Sequence, residues 1–265
     1  MEFGRYKSTK VGNMKSKNLK SNWVVKITIG ISIVFGLLIA FNWNIDDLSE
    51  GPREPGEFSE WYHYKIDPTT ILDNLAQGEM DLFLPILATP DDYEKAYQNP
   101  FQWKQADYLN IASALHQYVW KEDLNNWQLY KMSFYGNCGY NPIRFDLVKF
   151  IYTKFVDSQM YIAREIDIYP LDEGVSVAEE GNLQKPIFGL EGINLDKLKI
   201  TADDALRIAE ENGGIDARLA VDNQCDISIS SSEHNWYVRY SIQASTNSTI
   251  FEMTINSYTG KYKIP

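Results

Sequence analysis

The stretch that decides the fold class is residues 200–214, ITADDALRIAEENGG. Thr201 precedes alanine and leucine at helical spacing and Asp204 stands three residues later, which predicts a helix that begins at a capping box. Acidic side chains in the first turn suit the positive end of the helix dipole. We expect Gly213 and Gly214 to end the helix, because glycine readily adopts the left-handed conformation that follows helices.

The residues after this helix alternate between apolar and polar side chains, which is the period of a half-buried strand. Trp236, Val238 and Tyr240 share one face of NWYVRYSIQA, and the segment TIFEMTINS alternates in the same way. A Thr-Gly step then turns the chain into the closing KYKI. Residues 200–265 are therefore expected to form one α+β unit, a helix on an antiparallel sheet.

The same order of elements is predicted earlier in the chain. An apolar stripe with three- and four-residue steps predicts a helix over roughly 103–122. The alternating segments that follow it are 127–136, 144–155 and 160–170. Together they predict a first α+β unit over 103–180 and a connector over 181–199. A single larger α+β domain is the alternative.

Charge is distributed unevenly along the chain. Residues 1–26 hold seven basic and one acidic side chains, which leaves 18 basic and 35 acidic side chains in residues 27–265. An acidic body repels phosphate, so nucleic acid is not expected as a partner.

The segment between these regions has the composition of a membrane span. Residues 23–43, WVVKITIGISIVFGLLIAFNW, carry one charge and as a helix would match a hydrocarbon core of about 30 Å. Trp23 and Trp43 stand where interfacial anchors are found. The positive-inside rule then places the basic tail, 1–22, in the cytoplasm and the body outside. A cleaved signal peptide is the alternative, although small residues at cleavage spacing are missing.

Residues 44–102, which follow the predicted span, contain no motif for catalysis. Residues 44–66 are acidic and contain proline and glycine, which predicts an extended linker. Asp-Pro and Thr-Pro-Asp steps then predict short helices in a helical lead-in over 67–102. The chain is therefore predicted to be a single-pass cell-membrane protein with an extracytoplasmic body.

Three motifs near the C terminus carry a resemblance to a known family. ITADDALRIAEENGG, WYVRYSI and FEMTINSYTGKY are similar to the opening helix and the last strands of a PepSY or PepSY-like domain. The resemblance implies a cystatin-like packing of helix on sheet and no catalytic residues. PepSY domains accompany secreted peptidases as inhibitory or regulatory modules and occur in membrane-anchored envelope proteins. The longer stretch DNQCDISISSSEHN departs from the compact members of the family.

The histidines give little support for catalysis. His63, His116 and His234 fit neither H-E-x-x-H nor a nucleophile elbow. His234 follows a serine-rich turn, but a serine nucleophile also needs a third group that orients the histidine. We predict no enzyme activity, no catalytic residues and no cofactor-binding residues.

A calcium-loop pattern is present only in part. The acidic and amide residues at its spacing are Asp222, Gln224, Asp226 and Glu233. Ile227 stands where the calcium loop needs glycine for its sharp turn. We therefore predict no metal site.

Cys138 and Cys225 are the two cysteines of the chain. Outside the cytoplasm a disulfide between them is favoured, and it would contribute roughly 3–5 kcal/mol. Two buried free thiols are the alternative.

These patterns favour a binding function. The prediction is a membrane-anchored, extracytoplasmic protein-interaction module that regulates a peptidase or another cell-envelope enzyme. Its predicted partners are the lipid bilayer and a protein of the cell envelope. The alternative is an extracytoplasmic small-ligand-binding or sensing domain, because cystatin-like sheets can surround a pocket.

Overall fold

β-Strands dominate the part of the chain that the computed structural model describes, which is residues 61–85, 103–140, 142–158, 160–184, 191–242 and 248–265. The strands are β1 (Trp61–Lys65), β2 (Leu84–Pro85), β3 (Gln128–Asn137), β4 (Arg144–Phe155), β5 (Met160–Tyr169), β6 (Gly174–Gln184), β7 (Asp226–Ser232), β8 (Asn235–Ile242), β9 (Ser248–Asn256) and β10 (Tyr262–Lys263). The α-helices are α1 (Ile71–Ala76), α2 (Gln105–Trp120), α3 (Ala202–Ala209) and α4 (Ile215–Leu219). Short 3₁₀ turns lie at Leu124–Asn126 and Leu195–Lys197.

All ten strands belong to one antiparallel sheet with the order β10-β9-β8-β7-β3-β4-β5-β6-β1-β2. The predicted fold class, a transmembrane helix followed by two separate helix-on-sheet units, is therefore wrong. β3 pairs with β7, for example Phe134 with Ile229, and this pairing joins the two halves. Alternation along each strand identified most of the strands but not this partnership, which hides two strand edges that would otherwise be open.

The membrane prediction also needs correction. No helix among the described residues is both long and apolar enough to cross a membrane. The longest of them, α2, has 16 residues and buries one face against the sheet. The structure therefore does not support the transmembrane, single-pass and cell-membrane predictions, or the cytoplasmic and extracytoplasmic sides that depend on them. Residues 23–43, with Trp23 and Trp43, lie outside the described part of the chain.

The helices pack on one face of the sheet, and the core lies between the two layers. Side chains at alternate strand positions point into this core, as in Phe134 of β3, Phe150 of β4 and Trp236 of β8, all fully buried. Leu115 of α2 is buried among them in the same cluster. We call the opposite side of the sheet the far face.

Apart from β1 and β2 at one edge, strand order is symmetric about the β3–β7 pair. On each side a helix is followed by four strands that lie progressively farther from the pair, β3 to β6 on one side and β7 to β10 on the other. The N termini of α2 and α3 meet at this seam and exchange hydrogen bonds. Gln105 N–H donates to Asp203 Oδ2 at 2.9 Å, and Ala202 N–H donates to Gln105 Oε1 at 2.7 Å. Each helix thus satisfies an unpaired N–H of the other.

The predicted start of α3 is confirmed. Asp204 N–H donates to Thr201 Oγ1 at 3.1 Å, and Thr201 N–H donates to Asp204 Oδ2 at 3.2 Å. Its predicted end is also confirmed: within a π-turn at Glu210–Gly214 the chain leaves helical geometry at Asn212 and Gly213, and a new helix, α4, then begins. Two glycines that permit an end also permit a kink.

Candidate functional site

Five exposed apolar side chains lie at the end of the sheet that β8, β9 and β10 form. Among the described residues, large hydrophobic side chains are exposed at Trp61, Tyr62, Leu84, Phe155, Val156, Leu195, Ile215, Leu219, Tyr237, Tyr262 and Ile264. Five of these side chains belong to α4, β8 and the C-terminal segment, and we call them the end patch: Ile215, Leu219, Tyr237, Tyr262 and Ile264. Trp61, Tyr62 and Leu84 are exposed at the opposite, β1–β2 end of the sheet, so both ends carry exposed apolar side chains. Exposed apolar surface at the end of a sheet is a candidate interaction site.

Charged side chains lie beside Tyr237, which is the end-patch residue on the far face of the sheet. Tyr237 of β8 is 41% exposed, and its strand neighbour Arg239 forms an ion pair with Glu252 of β9, with 3.5 Å between Nη2 and Oε2. More than half of the Arg239 side chain is exposed. Tyrosine and arginine are enriched in protein–protein interfaces, since each offers a large contact area and a polar end.

The kink after α3 positions the helical side of the end patch. Gly213 has φ +114°, and a Cβ on Gly214 would lie 2.8 Å from the Ala209 carbonyl oxygen and 2.9 Å from the Tyr240 hydroxyl. Tyr240 donates its hydroxyl to Glu210 Oε1 at 2.6 Å, and Arg218 Nε donates to Glu210 Oε2 at 3.0 Å. This network ties α4 to the π-turn and to β8, so that Ile215 and Leu219 stay beside β9.

A buried charged cluster lies on the far face of β4 and β5. Lys149 Nζ contacts Asp167 Oδ2 at 2.7 Å and Glu165 Oε1 at 2.8 Å, and the Tyr169 hydroxyl donates to Asp167 Oδ2 at 3.2 Å. Burial raises the pKa of Asp167 to about 6, although its hydrogen bond to Lys149 acts in the opposite direction. Asp167 Oδ1 is buried and has no hydrogen-bond donor among the described residues. Such a group is a candidate for function, but ion-pair networks in structural cores show the same shift.

His63 extends this cluster into a row across β1, β6, β5 and β4. Its Nδ1 lies 2.7 Å from the Ser176 hydroxyl, and Ser176 pairs with Asp167, which pairs in turn with Lys149. This serine–histidine pair could not be predicted from the sequence, because 113 residues separate the two. Ser176 is buried, and within the described residues no carboxylate orients His63 through its other nitrogen. The pair therefore lacks the third group of a catalytic triad.

His116 belongs to a second buried cluster, on the helix side of the sheet. Arg164 Nη1 donates to His116 Nε2 at 3.0 Å, and His116 Nδ1 donates to the Glu122 carbonyl at 3.2 Å, which requires a neutral ring. Burial and the Arg164 charge lower the pKa of His116 to about 4. The guanidinium carbon of Arg164 lies 4.0 Å from the Trp127 ring centre and 4.5 Å from that of Trp120. Every polar group in this arrangement serves packing, so we assign it a structural role.

A groove of about 740 Å³ opens beside this second cluster. Its walls come from α2, from the start of β3 and from the segment around the second 3₁₀ turn. The apolar side chains that line it are Leu109, Leu124, Trp127, Leu129, Ile193 and Leu195. The groove is large enough for a small molecule, and it is the second candidate site.

The structure also places the remaining residues singled out from the sequence. The structure joins Cys138 to Cys225 by a disulfide with Cα atoms 5.2 Å apart, at the end of the β3–β7 pair. His234 stacks on Tyr258, with ring centres 4.9 Å apart. Asp226 lies in β7, so part of the calcium-loop pattern is a strand. No group of three or more potential ligands that could hold a metal ion occurs in the described ranges.

Comparison of the chain with protein-family models, curated proteins and solved structures finds no match. The PepSY-like resemblance and the prediction that the chain is not an enzyme are not tested by these comparisons, and both stay predictions. The end patch was not predicted from the sequence. Its signal in the sequence was the apolar pair Ile215 and Leu219, four residues apart directly after the two glycines.

Proposed function

We propose that the chain is a non-catalytic module that binds another protein at the β8–β10 end of its sheet. The observation that carries this proposal is the end patch, in which apolar and aromatic side chains are exposed on both sides of the outermost strands. Arg239 and Glu252 add a charged border on the far face. An apolar centre with a polar rim is the usual anatomy of a protein interface.

The PepSY-like resemblance favours a peptidase as the partner, because modules of that family inhibit or regulate secreted peptidases. The two buried polar clusters are compatible with a module that does no chemistry. In one, no carboxylate among the described residues orients the His63–Ser176 pair, and the other holds His116 neutral between Arg164 and a backbone carbonyl.

Site-specific photo-crosslinking tests the proposal with full-length variants of the chain produced in its native host cells. A benzophenone amino acid replaces Tyr237 in the end patch and, as the matched control, Leu84 on the opposite edge, which is 60% exposed. We expect a discrete crosslinked protein from position 237 and none from position 84. No crosslink at 237, or the same protein at both positions, would contradict the proposal.

Binding of the purified crosslinked protein provides the second measurement. Arg239→Glu should weaken this binding about tenfold. The charge reversal removes the attraction to the partner protein and leaves a desolvated charge on the partner unpaired. Arg207→Glu is the matched control, since Arg207 is equally exposed but lies on α3 and pairs with Glu211. Equal losses in the two variants would indicate a general charge effect and would refute a specific site.

Small-ligand binding is the second candidate function, favoured by the groove of about 740 Å³. Asn110 lines this groove, and Asn110→Trp should fill part of it. A small molecule that stabilises the wild-type chain against heat but not this variant would favour the second candidate over the first.

A further inference from the structure

A short segment, residues 121–127, leads from the end of α2 to the start of β3, and we call it the bridge. It contains the first 3₁₀ turn, Leu124–Asn126. Two of its side chains, Leu124 and Trp127, also line the groove of about 740 Å³. The position of the bridge therefore sets the shape of one wall of the groove.

Glu122 anchors the bridge through both its backbone and its side chain. His116 of α2 donates Nδ1–H to the Glu122 carbonyl at 3.2 Å. The carboxylate of the same residue accepts at Oε2 from the Trp127 indole at 3.0 Å and from Lys154 Nζ and Arg164 Nη1 at 3.3 Å each. One residue of the bridge is thus tied to α2, β4 and β5.

This anchor depends on a neutral His116 ring. Arg164 Nη1 lies 3.0 Å from His116 Nε2, and a guanidinium can only donate, so Nε2 accepts and carries no proton. A proton on Nε2 would replace this hydrogen bond by two donors that point at each other and by two cations in contact. His116 is fully buried and Arg164 is 5% exposed, so water does little to weaken that repulsion.

The charged and titratable groups around the His116 ring come from the bridge and from three strands. They are Glu122 of the bridge, Tyr152 and Lys154 of β4, Arg164 of β5 and Glu179 of β6. Both carboxylates already bond Arg164, with 2.6 Å between Glu179 Oε2 and Arg164 Nε. They favour a proton on His116, but burial and the Arg164 charge outweigh them and lower the pKa of His116 to about 4.

The bridge is the element that yields when Arg164 and His116 separate. Arg164 belongs to β5, which pairs with β4 on one side and β6 on the other, and its guanidinium packs on two tryptophan rings. The bridge lies outside the sheet, and Asn125 and Asn126 are exposed. Glu122 bonds Arg164 by its side chain and His116 by its backbone, so the two cations cannot separate without lengthening one of these bonds. Segments with few packed contacts open first.

We propose that the bridge is an acid-sensitive wall of the groove. A proton taken up by His116 at Nε2 breaks the hydrogen bond from Arg164, the bridge loses an anchor at Glu122, and the wall formed by Leu124 and Trp127 opens. This gives the buried cluster a regulatory consequence beyond its structural role. The proposal concerns the groove alone and does not depend on protein binding at the end patch.

Deuterium exchange of the Trp127 amide, measured by NMR on the full chain, reports the opening. This N–H donates to the Leu124 carbonyl at 2.9 Å inside the bridge. Between about pH 6.5 and pH 5, Glu122 stays ionised, because the hydrogen bond from Trp127 lowers its pKa. After correction for intrinsic exchange, the opening equilibrium should rise about tenfold for each unit that the pH falls. The Phe150 amide in β4 is the reference, and it should exchange more slowly at each pH.

Two histidine variants identify the group that takes up the proton. His116→Gln has no titratable ring, so the opening at Trp127 should no longer depend on pH. His234→Gln is the matched control, since His234 stacks on Tyr258 in the other half of the sheet, and it should keep the wild-type slope. If His116→Gln fails to fold, Glu122→Gln provides a second variant at a partly exposed position. It weakens the anchor but keeps His116, so opening at pH 6.5 should rise about tenfold with an unchanged slope.

Four results would overturn the proposal. They are an opening at Trp127 that does not change with pH in the wild type, a wild-type slope in His116→Gln, a slope that disappears in His234→Gln, and no rise in Glu122→Gln. Exchange of Trp127 as slow as that of Phe150 at every pH would also refute it, because the opening would then be global unfolding. Crosslinking at position 237 tests the proposed function separately and is unaffected by each of these results.

Discussion

The disulfide between Cys138 and Cys225 should contribute a large share of the stability of the chain. The two cysteines are 87 residues apart in sequence. For a loop of this size, the loss of chain entropy in the unfolded state corresponds to about 4.5 kcal/mol at 25 °C. A domain typically has a free energy of unfolding of about 5–15 kcal/mol, so cutting the bond should remove a third or more of it.

Urea denaturation, followed by tryptophan fluorescence, measures this contribution. The wild type with the disulfide intact is compared with the wild type reduced by dithiothreitol, which keeps both sulfur atoms in the core. With an m-value of about 2 kcal/mol per M, the midpoint should fall by about 2 M. The urea midpoint of the double variant, Cys138→Ser with Cys225→Ser, should fall at least as far. A loss below about 1 kcal/mol on reduction would refute the entropic reasoning.

Four further predictions concern buried groups. His116 has a pKa of about 4 in the folded chain, so between pH 6.5 and 4 it takes up a proton only in the unfolded chain. The free energy of unfolding therefore falls by up to about 3 kcal/mol over this range, and His116→Gln should abolish that fall. Asp167 affects the pH dependence in the opposite direction, because its pKa in the folded chain is raised to about 6. Its contribution to the free energy of unfolding decreases as pH rises from 4 to 6, and Asp167→Asn should abolish that decrease. Urea midpoints measured across this range check both, and slopes equal to the wild-type slope would contradict them. Gly214→Ala should cost about 1–3 kcal/mol through overpacking, while Gly181→Ala, with no atom within 4 Å of the added Cβ, should be nearly neutral in thermal melts. Ser231→Ala should cost about 1–3 kcal/mol, because its hydroxyl bonds both backbone groups of a β3 residue at the seam; an unchanged melting temperature would exclude that role.

Local structure followed well from the sequence. Alternation predicted 144–155 as a strand, and β4 spans Arg144–Phe155. The capping pair Thr201 and Asp204 predicted the start of α3. These signals succeed because side-chain periodicity and caps are properties of neighbouring residues.

Long-range pairing did not follow from the sequence. Nothing in the alternation of β3 or β7 specifies that Phe134 pairs with Ile229, because any two strands with compatible faces could pair. The same limit applies to the clusters: 48 residues separate His116 from Arg164. The end patch depends on the kink at Gly213 and Gly214, where the same glycines are compatible with an end or a bend.

The reciprocal bonds between Gln105 and the start of α3 make the two halves mutually dependent. If either half is expressed alone, one helix begins with an unmet donor and the seam strand exposes a full row of backbone groups. Separately produced fragments, cut between β6 and α3, should therefore be aggregation-prone in isolation and reassemble when mixed. The segment between β6 and α3 is therefore a natural split point for a complementation assay. Each half would be fused to one fragment of a reporter protein, which gives a signal only when the two halves reassemble.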